Sequence, residues 1–344
     1  TGAFHSAAGV GKAGTALRIG RKAPTKSTDQ AAQMATGSEQ REASASARKA
    51  IRRARRANEL VRFLANQVLQ NQLQRQSVRT GRLLCRPTSI YVALTSRCDA
   101  RCAMCDMWRR EPLDELSTDA WTKTLLDLRR WLGPYHVNFN GGEAYLRGDF
   151  ISLLRFCNDN GILAGFITNA LHIDREMARE TVKAEPFNVS ISLDGIRPRT
   201  HDALRGRRGA FDRVMETLEH FSEFKREYRS NFRLIAKATI MRQNLAELPD
   251  LVRWVRRRGD MAIYFQPVIP LWSRGARKQF EVDLELLDRV VDELIERKKT
   301  GRPDPQLGGQ SRAGQALLPG RDPVQHGAQR LPRGGQESLL APPG

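Results

Sequence analysis

Ser89-Ile90-Tyr91-Val92-Ala93-Leu94 runs directly into Thr95-Ser96-Arg97-Cys98-Asp99-Ala100-Arg101-Cys102-Ala103-Met104-Cys105-Asp106-Met107-Trp108. The first six residues are mostly apolar and β-favouring and read as a buried strand. The remainder reads as a loop whose three cysteines are spaced C-x3-C-x2-C. Outward from this stretch the chain alternates. Further strands are expected at 136–140, 163–167, 188–193, 232–241 and 262–265, and helices at 117–131, 150–158, 174–183, 211–228, 245–257 and 284–298. Six strands alternating with helices predict an α/β fold with a parallel sheet and helices outside it. Right-handed βα units repeated in this way curl into a partial (β/α)6 TIM-like barrel. In such barrels the chemistry sits at the C-terminal ends of the strands, so the loops that follow strands are where ligands belong.

The flanks differ from this core. Residues 1–43 are rich in small and basic residues without a period and read as a disordered arm. Residues 44–85 read as an N-terminal helix, with Ile51, Leu60, Phe63, Leu64, Val68 and Leu73 near one stripe and Arg52, Arg53, Arg55 and Arg56 on a basic face. It is expected to cover one end of the barrel, which occupies 86–300. Residues 301–344 hold 9 Gly and 7 Pro without periodicity and read as a disordered or frame-shifted tail. The chain opens on Thr1, so its true start is expected upstream.

The formal charge is +19, yet residues 1–85 alone hold 16 Lys/Arg against 4 Asp/Glu. The excess therefore lies mainly in the arm and helix, which argues against nucleic acid as the partner of the core. There are five cysteines, Cys85, Cys98, Cys102, Cys105 and Cys157. An odd, clustered set does not fit a disulfide framework and predicts a reducing, cytoplasmic setting. No run of about 18 apolar residues is present, so no membrane span is expected.

Cysteine thiolates are the usual holders of 4Fe–4S clusters, which take four ligands. Cys98, Cys102 and Cys105 supply three and leave one iron open. Zinc on the same thiolates is the rival, although structural zinc favours paired C-x2-C motifs or nearby histidines, and neither is present. Cys85 and Cys157 lack motif spacing and read as structural.

Three further stretches follow successive strands, Asn140-Gly141-Gly142-Glu143, Thr168-Asn169-Ala170 and Ser192-Leu193-Asp194-Gly195, and His201-Asp202-Ala203-Leu204-Arg205-Gly206 comes soon after the last of them. With the cysteine triad, this series resembles the radical S-adenosylmethionine (SAM) enzymes over about residues 86–298. The departures are Ala144 where the family has Pro, Met104 where an aromatic residue is common, and Ala170 where it has Gly. The resemblance implies a 4Fe–4S cluster on Cys98, Cys102 and Cys105, and SAM chelated to the open iron. It implies that Gly141 and Gly142 allow close approach of SAM and that Glu143 accepts from the SAM ammonium. Ser192 and Asp194 would bond the ribose, Arg205 would meet the carboxylate, and Thr168 and Asn169 would line the cleft. It further implies an external flavodoxin- or ferredoxin-like electron donor and a peptide or small-molecule substrate. Relatives with these motifs often carry a Cys-rich C-terminal extension, which the 344 residues lack. A truncated, catalytically incomplete SAM- and cluster-binding protein is thus the second expectation, and a nucleic-acid-modifying enzyme a distant third.

Overall fold

The computed structural model describes residues 26–109, 111, 113–268, 280 and 282–300, with backbone alone at 26–49, 51–53, 297, 298 and 300. Six strands are present: β1 (Ser89–Thr95), β2 (His136–Gly141), β3 (Leu163–Thr168), β4 (Asn188–Ser192), β5 (Arg233–Ile240) and β6 (Ala262–Pro267). They pair in chain order, β1-β2-β3-β4-β5-β6, and every pairing is parallel. The described helices are α1 (Lys26–Thr80), α2 (Thr118–Leu132), α3 (Phe150–Asp159), α4 (Arg175–Lys183), α5 (Pro198–Arg205), α6 (Ala210–Glu227), α7 (Leu248–Arg258) and α8 (Leu284–Thr300). This is the expected α/β arrangement, a sheet that curls into a partial barrel.

The strand alternation fixes which residues face the helices. Leu94, Val137, Phe139, Ala164, Phe166, Val189, Ile191, Leu234, Ala236 and Ala238 join one buried apolar core with helix residues such as Leu125, Leu153, Leu218 and Phe221. Since neighbours in a strand point to opposite faces, the intervening residues face the concave side. These include Tyr91, Asn138, Ser190, Ser192, Lys237, Tyr264 and Gln266. The outer layer is hydrocarbon and the concave face is polar, as a ligand-binding bowl requires.

The N-terminal helix starts at Lys26 rather than near residue 44. Residues 26–43 lack an apolar stripe but are rich in Ala, Gln, Glu and Ser, most of which a helix tolerates well without a hydrophobic face. The expectations for residues 1–25 and 301–344 lie outside the described residues. The chain divides into Thr1–Lys298 and Lys299–Gly344. The covering role of α1 is visible in its contacts. Arg56 donates to the carbonyls of Glu185 (2.7 Å) and Pro186 (2.5 Å), just before β4. Glu59 pairs with Arg129 at 2.6 Å, Asn66 donates to the Pro134 carbonyl, and Phe63 packs edge-on against Phe187. All these partners precede strands or end helices, so α1 closes the N-terminal mouth, opposite the cysteine loop. Replacing Arg56 by Ala removes two charge-assisted hydrogen bonds and is expected to cost about 2 kcal/mol in urea denaturation.

Candidate active site

The cysteine loop and three of the sequence motifs lie at the C-terminal ends of strands, and the fourth lies on the helix that follows β4. The loop after β1 is clamped from two sides. On one side, the Gly142 N–H donates to the Thr95 carbonyl (2.7 Å) and the Glu143 N–H to the Arg97 carbonyl (2.8 Å). On the other, the Arg101 and Ala103 N–H groups donate to the carbonyls of Arg205 (3.1 Å) and Leu204 (2.9 Å) at the end of α5. Glycines make both clamps possible. A Cβ on Gly142 would lie 1.9 Å from the Arg97 carbonyl oxygen, and one on Gly206 would lie 2.1 Å from that of Arg101. Gly141 and Gly142 thus let the backbone pack closely against the cysteine loop. Gly142→Ala is expected to lose about 1–3 kcal/mol of stability through overpacking. It should also lower the iron retained after reconstitution. Gly148→Ala, with nothing within 4 Å of the new methyl, is the matched control in denaturation and iron assays.

Glu143 is buried beneath the loop. Its Oε1 accepts from the Thr168 hydroxyl (2.9 Å) and the Tyr145 N–H (3.3 Å), and its Oε2 from the Asn169 N–H (2.8 Å). Burial raises its pKa to about 7 against the pull of these hydrogen bonds. Asn169 extends the network by donating to Asp99 (2.8 Å) and towards the Cys98 sulfur (3.8 Å). Ala170 sits at φ +63°, so the left-handed geometry expected of the family's glycine is kept by an alanine.

The h-D-x-x-R-G stretch folds as α5, which the sequence reading had left as a motif without an element. Pro198 in its first turn and Gly206 at its left-handed C-terminus were the available signals. His201 Nδ1 accepts from the Asp194 N–H at 3.2 Å, and burial lowers its pKa to about 3, so it is neutral. Asp202 caps α6 through the N–H groups of Gly209 (2.6 Å) and Phe211 (2.9 Å). Arg205 pairs with Asp194 at 2.6 Å and reaches the Cys102 sulfur at 3.6 Å. Asp194, with no exposed surface, also accepts from the Thr239 N–H at 2.8 Å. Asn244 donates to the carbonyls of Asp194 and Thr239, both at 2.7 Å. Asp194 and Arg205, expected at the ribose and the carboxylate of SAM, are ion-paired with each other. Both groups are spent on each other, at a corner joining β4, β5 and α5.

Sequence reasoning missed Lys237. It lies on the concave face of β5, in register with Ser192 on one side and Tyr264 on the other. Burial lowers its pKa, and its ammonium sits 6.0 Å from the Tyr264 ring centre. Its alternation position marks it as inward-facing once β5 is placed, but nothing in the linear sequence sets it apart.

All five cysteines are free. An N–H group is directed at each triad sulfur: Asn169 at Cys98, Arg205 at Cys102, and the Met107 amide at Cys105 (3.5 Å). Such donors suit thiolates, which accept hydrogen bonds. Cys157, by contrast, is fully buried in the apolar core. Burial pushes the Cys98 thiol up to about 11 and raises Cys102 as well. Metal binding would therefore displace protons. Among the described residues no three His, Cys, Asp or Glu side chains gather around one point as a single ion requires. Zinc gathers its thiolates on one ion, whereas a cluster spreads them over different irons. The residues present fit a 4Fe–4S cluster.

The chain is a parallel α/β partial barrel with three cysteines on the loop at the C-terminal end of its first strand, the donor set a 4Fe–4S cluster would use. Residues 92–255 match the radical SAM superfamily, so the barrel of this chain is a radical SAM domain. It is 31% identical over 223 residues to the PqqA peptide cyclase of Bradyrhizobium diazoefficiens, covering 62% of this chain and 56% of that protein. It is 29% identical over 208 residues to the Fe-coproporphyrin III synthase of Methanosarcina barkeri, covering 60% and 50%. The chain thus spans about half the length of the curated relatives it matches. In fold it is similar to Streptococcus suis SuiB bound to S-adenosylmethionine, with a TM-score of 0.54 at 19% identity, covering 67% of this chain and 52% of that one. No helix among the described residues is long and apolar enough to cross a membrane.

Proposed function

We propose that this chain is a radical SAM enzyme that carries one 4Fe–4S cluster on Cys98, Cys102 and Cys105 and acts on a peptide. The observation that carries the reading is the set of three N–H donors directed at those three sulfurs. When bound, the cluster supplies one electron that cleaves SAM to methionine and a 5′-deoxyadenosyl radical.

The chain's own residues position the reactants. Glu143 keeps an unused lone pair on Oε2 for the SAM ammonium, a charge-assisted contact. Thr168 and the Asn169 backbone hold that carboxylate in place. The Ser192 hydroxyl faces the bowl and is the group left on β4 for the ribose. With Arg205 committed to Asp194, Lys237 is the concave-face cation that takes the SAM carboxylate. The Asp194–Arg205 pair acts from behind, orienting Cys102 rather than touching the cofactor. The polar bowl of Tyr91, Asn138, Ser190, Tyr264 and Gln266 receives the substrate. The substrate class follows the similarity to the PqqA peptide cyclase. The match to a coproporphyrin synthase favours a tetrapyrrole as the second reading. The electron comes from an external flavodoxin- or ferredoxin-like carrier.

The test is anaerobic reconstitution with iron and sulfide, followed by dithionite and SAM. The expected product is 5′-deoxyadenosine in amounts that scale with bound cluster. Reconstituted protein that holds a cluster and leaves SAM intact would contradict the reading.

A further inference from the structure

We infer that the outer surface of the cysteine loop, centred on Trp108 and rimmed by Arg101, Arg109, Arg207 and Arg208, is the docking face for an acidic one-electron carrier protein. This rests on the cluster reading above and assigns a surface to the partner which that reading requires. Each SAM cleavage consumes one electron. The carrier loses it, the cluster receives it, and it is used up when the sulfonium carbon–sulfur bond breaks. The carrier must therefore approach the cysteine loop from outside the bowl that SAM and substrate fill.

Two segments of chain form that outside surface. Arg101 and Arg109 belong to the cysteine loop and are exposed. Their guanidinium carbons lie 5.9 Å and 4.7 Å from the Trp108 ring centre. Arg207 and Arg208, also exposed, follow α5, whose last residues are hydrogen-bonded to the loop. Arg207 itself donates to the Asp99 carbonyl at 3.4 Å, which holds its guanidinium against the cysteine loop. The acids within this patch are largely engaged. Asp99 accepts from Asn169, and Asp106 sits 3.6 Å from Arg109. Glu111 is the nearest exposed acid further along the loop. Arg101, Arg207 and Arg208 have no carboxylate within ion-pair distance among the described residues. The patch therefore carries more positive than negative charge.

Trp108 gives this patch its connection to the site. Its indole N–H donates to the Cys102 carbonyl at 3.3 Å, and the ring is half-buried beneath the two guanidiniums. A partner seated on Trp108 is one hydrogen bond from the backbone of a triad cysteine. Exposed guanidiniums around an aromatic centre are the composition that interfaces favour. Rim charges of this kind set the encounter rate and its dependence on salt.

The test uses the full reconstituted chain and a reduced acidic flavodoxin as the probe. Binding is measured by titration calorimetry and electron transfer by the loss of the reduced-flavin spectrum. Arg101→Glu with Arg207→Glu is expected to weaken binding and slow flavodoxin-driven transfer by roughly tenfold or more. Arg101→Gln with Arg207→Gln should give a smaller loss and a shallower salt dependence. Arg75→Glu with Arg79→Glu on α1 makes the same charge change away from the loop and is expected to alter binding less than about twofold. Reduction by dithionite should be equal in all variants. The proposal is overturned if the loop variants bind flavodoxin as the wild type does, or if the α1 variant weakens binding equally. If the wild-type chain accepts electrons from flavodoxin and dithionite alike with no dependence on salt, docking by charge is also wrong. A wild-type chain that takes no electron from dithionite contradicts the cluster reading, and this inference with it.

Discussion

Replacing Cys98, Cys102 and Cys105 together by Ala is expected to reduce bound iron and 5′-deoxyadenosine formation to background while leaving the fold intact. The thiols lie on a loop held by backbone hydrogen bonds, from Gly142 and Glu143 on one side and to Arg205 and Leu204 on the other. Those bonds do not involve the sulfurs, so the alanines leave the clamps in place. Each single substitution should suffice to abolish SAM cleavage, because two thiolates do not leave one iron open in the required way. Cys157→Ala is the contrast. Cys157 has no exposed surface and packs in the main apolar core, where it behaves as a small hydrophobe. Its replacement should keep the cluster and cost about 1 kcal/mol through the space left behind. Iron analysis, anaerobic SAM assays and urea denaturation separate the two outcomes.

Asp194→Ala is expected to be the most destabilising single substitution near the site. It leaves the Arg205 guanidinium buried without its 2.6 Å partner and the Thr239 N–H without an acceptor. Breaking a buried pair from one side costs about 3–5 kcal/mol, since the remaining charge is desolvated and uncompensated. Asp194→Asn keeps an acceptor for Thr239 and should cost less. The double variant Asp194→Ala with Arg205→Ala should be less destabilised than the sum of the singles, because the stranded charge is gone. Urea denaturation of the cluster-free chain measures all four. The same variants should show looser cluster retention, since Arg205 is also the donor aimed at Cys102.

The strands were legible because each is short, rich in apolar and β-branched residues, and separated from the next by a helix with its own period. Val137 and Phe139, or Val189 and Ile191, announce the helix-facing side by alternation alone. The cysteine triad was legible because its ligands are adjacent in sequence. What stayed hidden depends on contacts between distant segments. Nothing in the sequence near Gly142 shows that a methyl there would lie 1.9 Å from the Arg97 carbonyl oxygen. Arg205 looks like a free cation until Asp194 is found beside it. Lys237 carries no motif, and only its register with Ser192 gives it a place in the bowl. The start of α1 was misplaced because residues 26–43 favour a helix by propensity alone, without a hydrophobic stripe to mark it.

The central claim is that the loop after β1 holds a cluster with an iron open to SAM. Electron paramagnetic resonance of the anaerobically reconstituted, dithionite-reduced chain tests it most directly. The expected spectrum is that of a reduced 4Fe–4S cluster, absent from the Cys98, Cys102 and Cys105 variants and changed in shape when SAM is added. A signal that persists without those cysteines, or that SAM leaves unchanged, would contradict it.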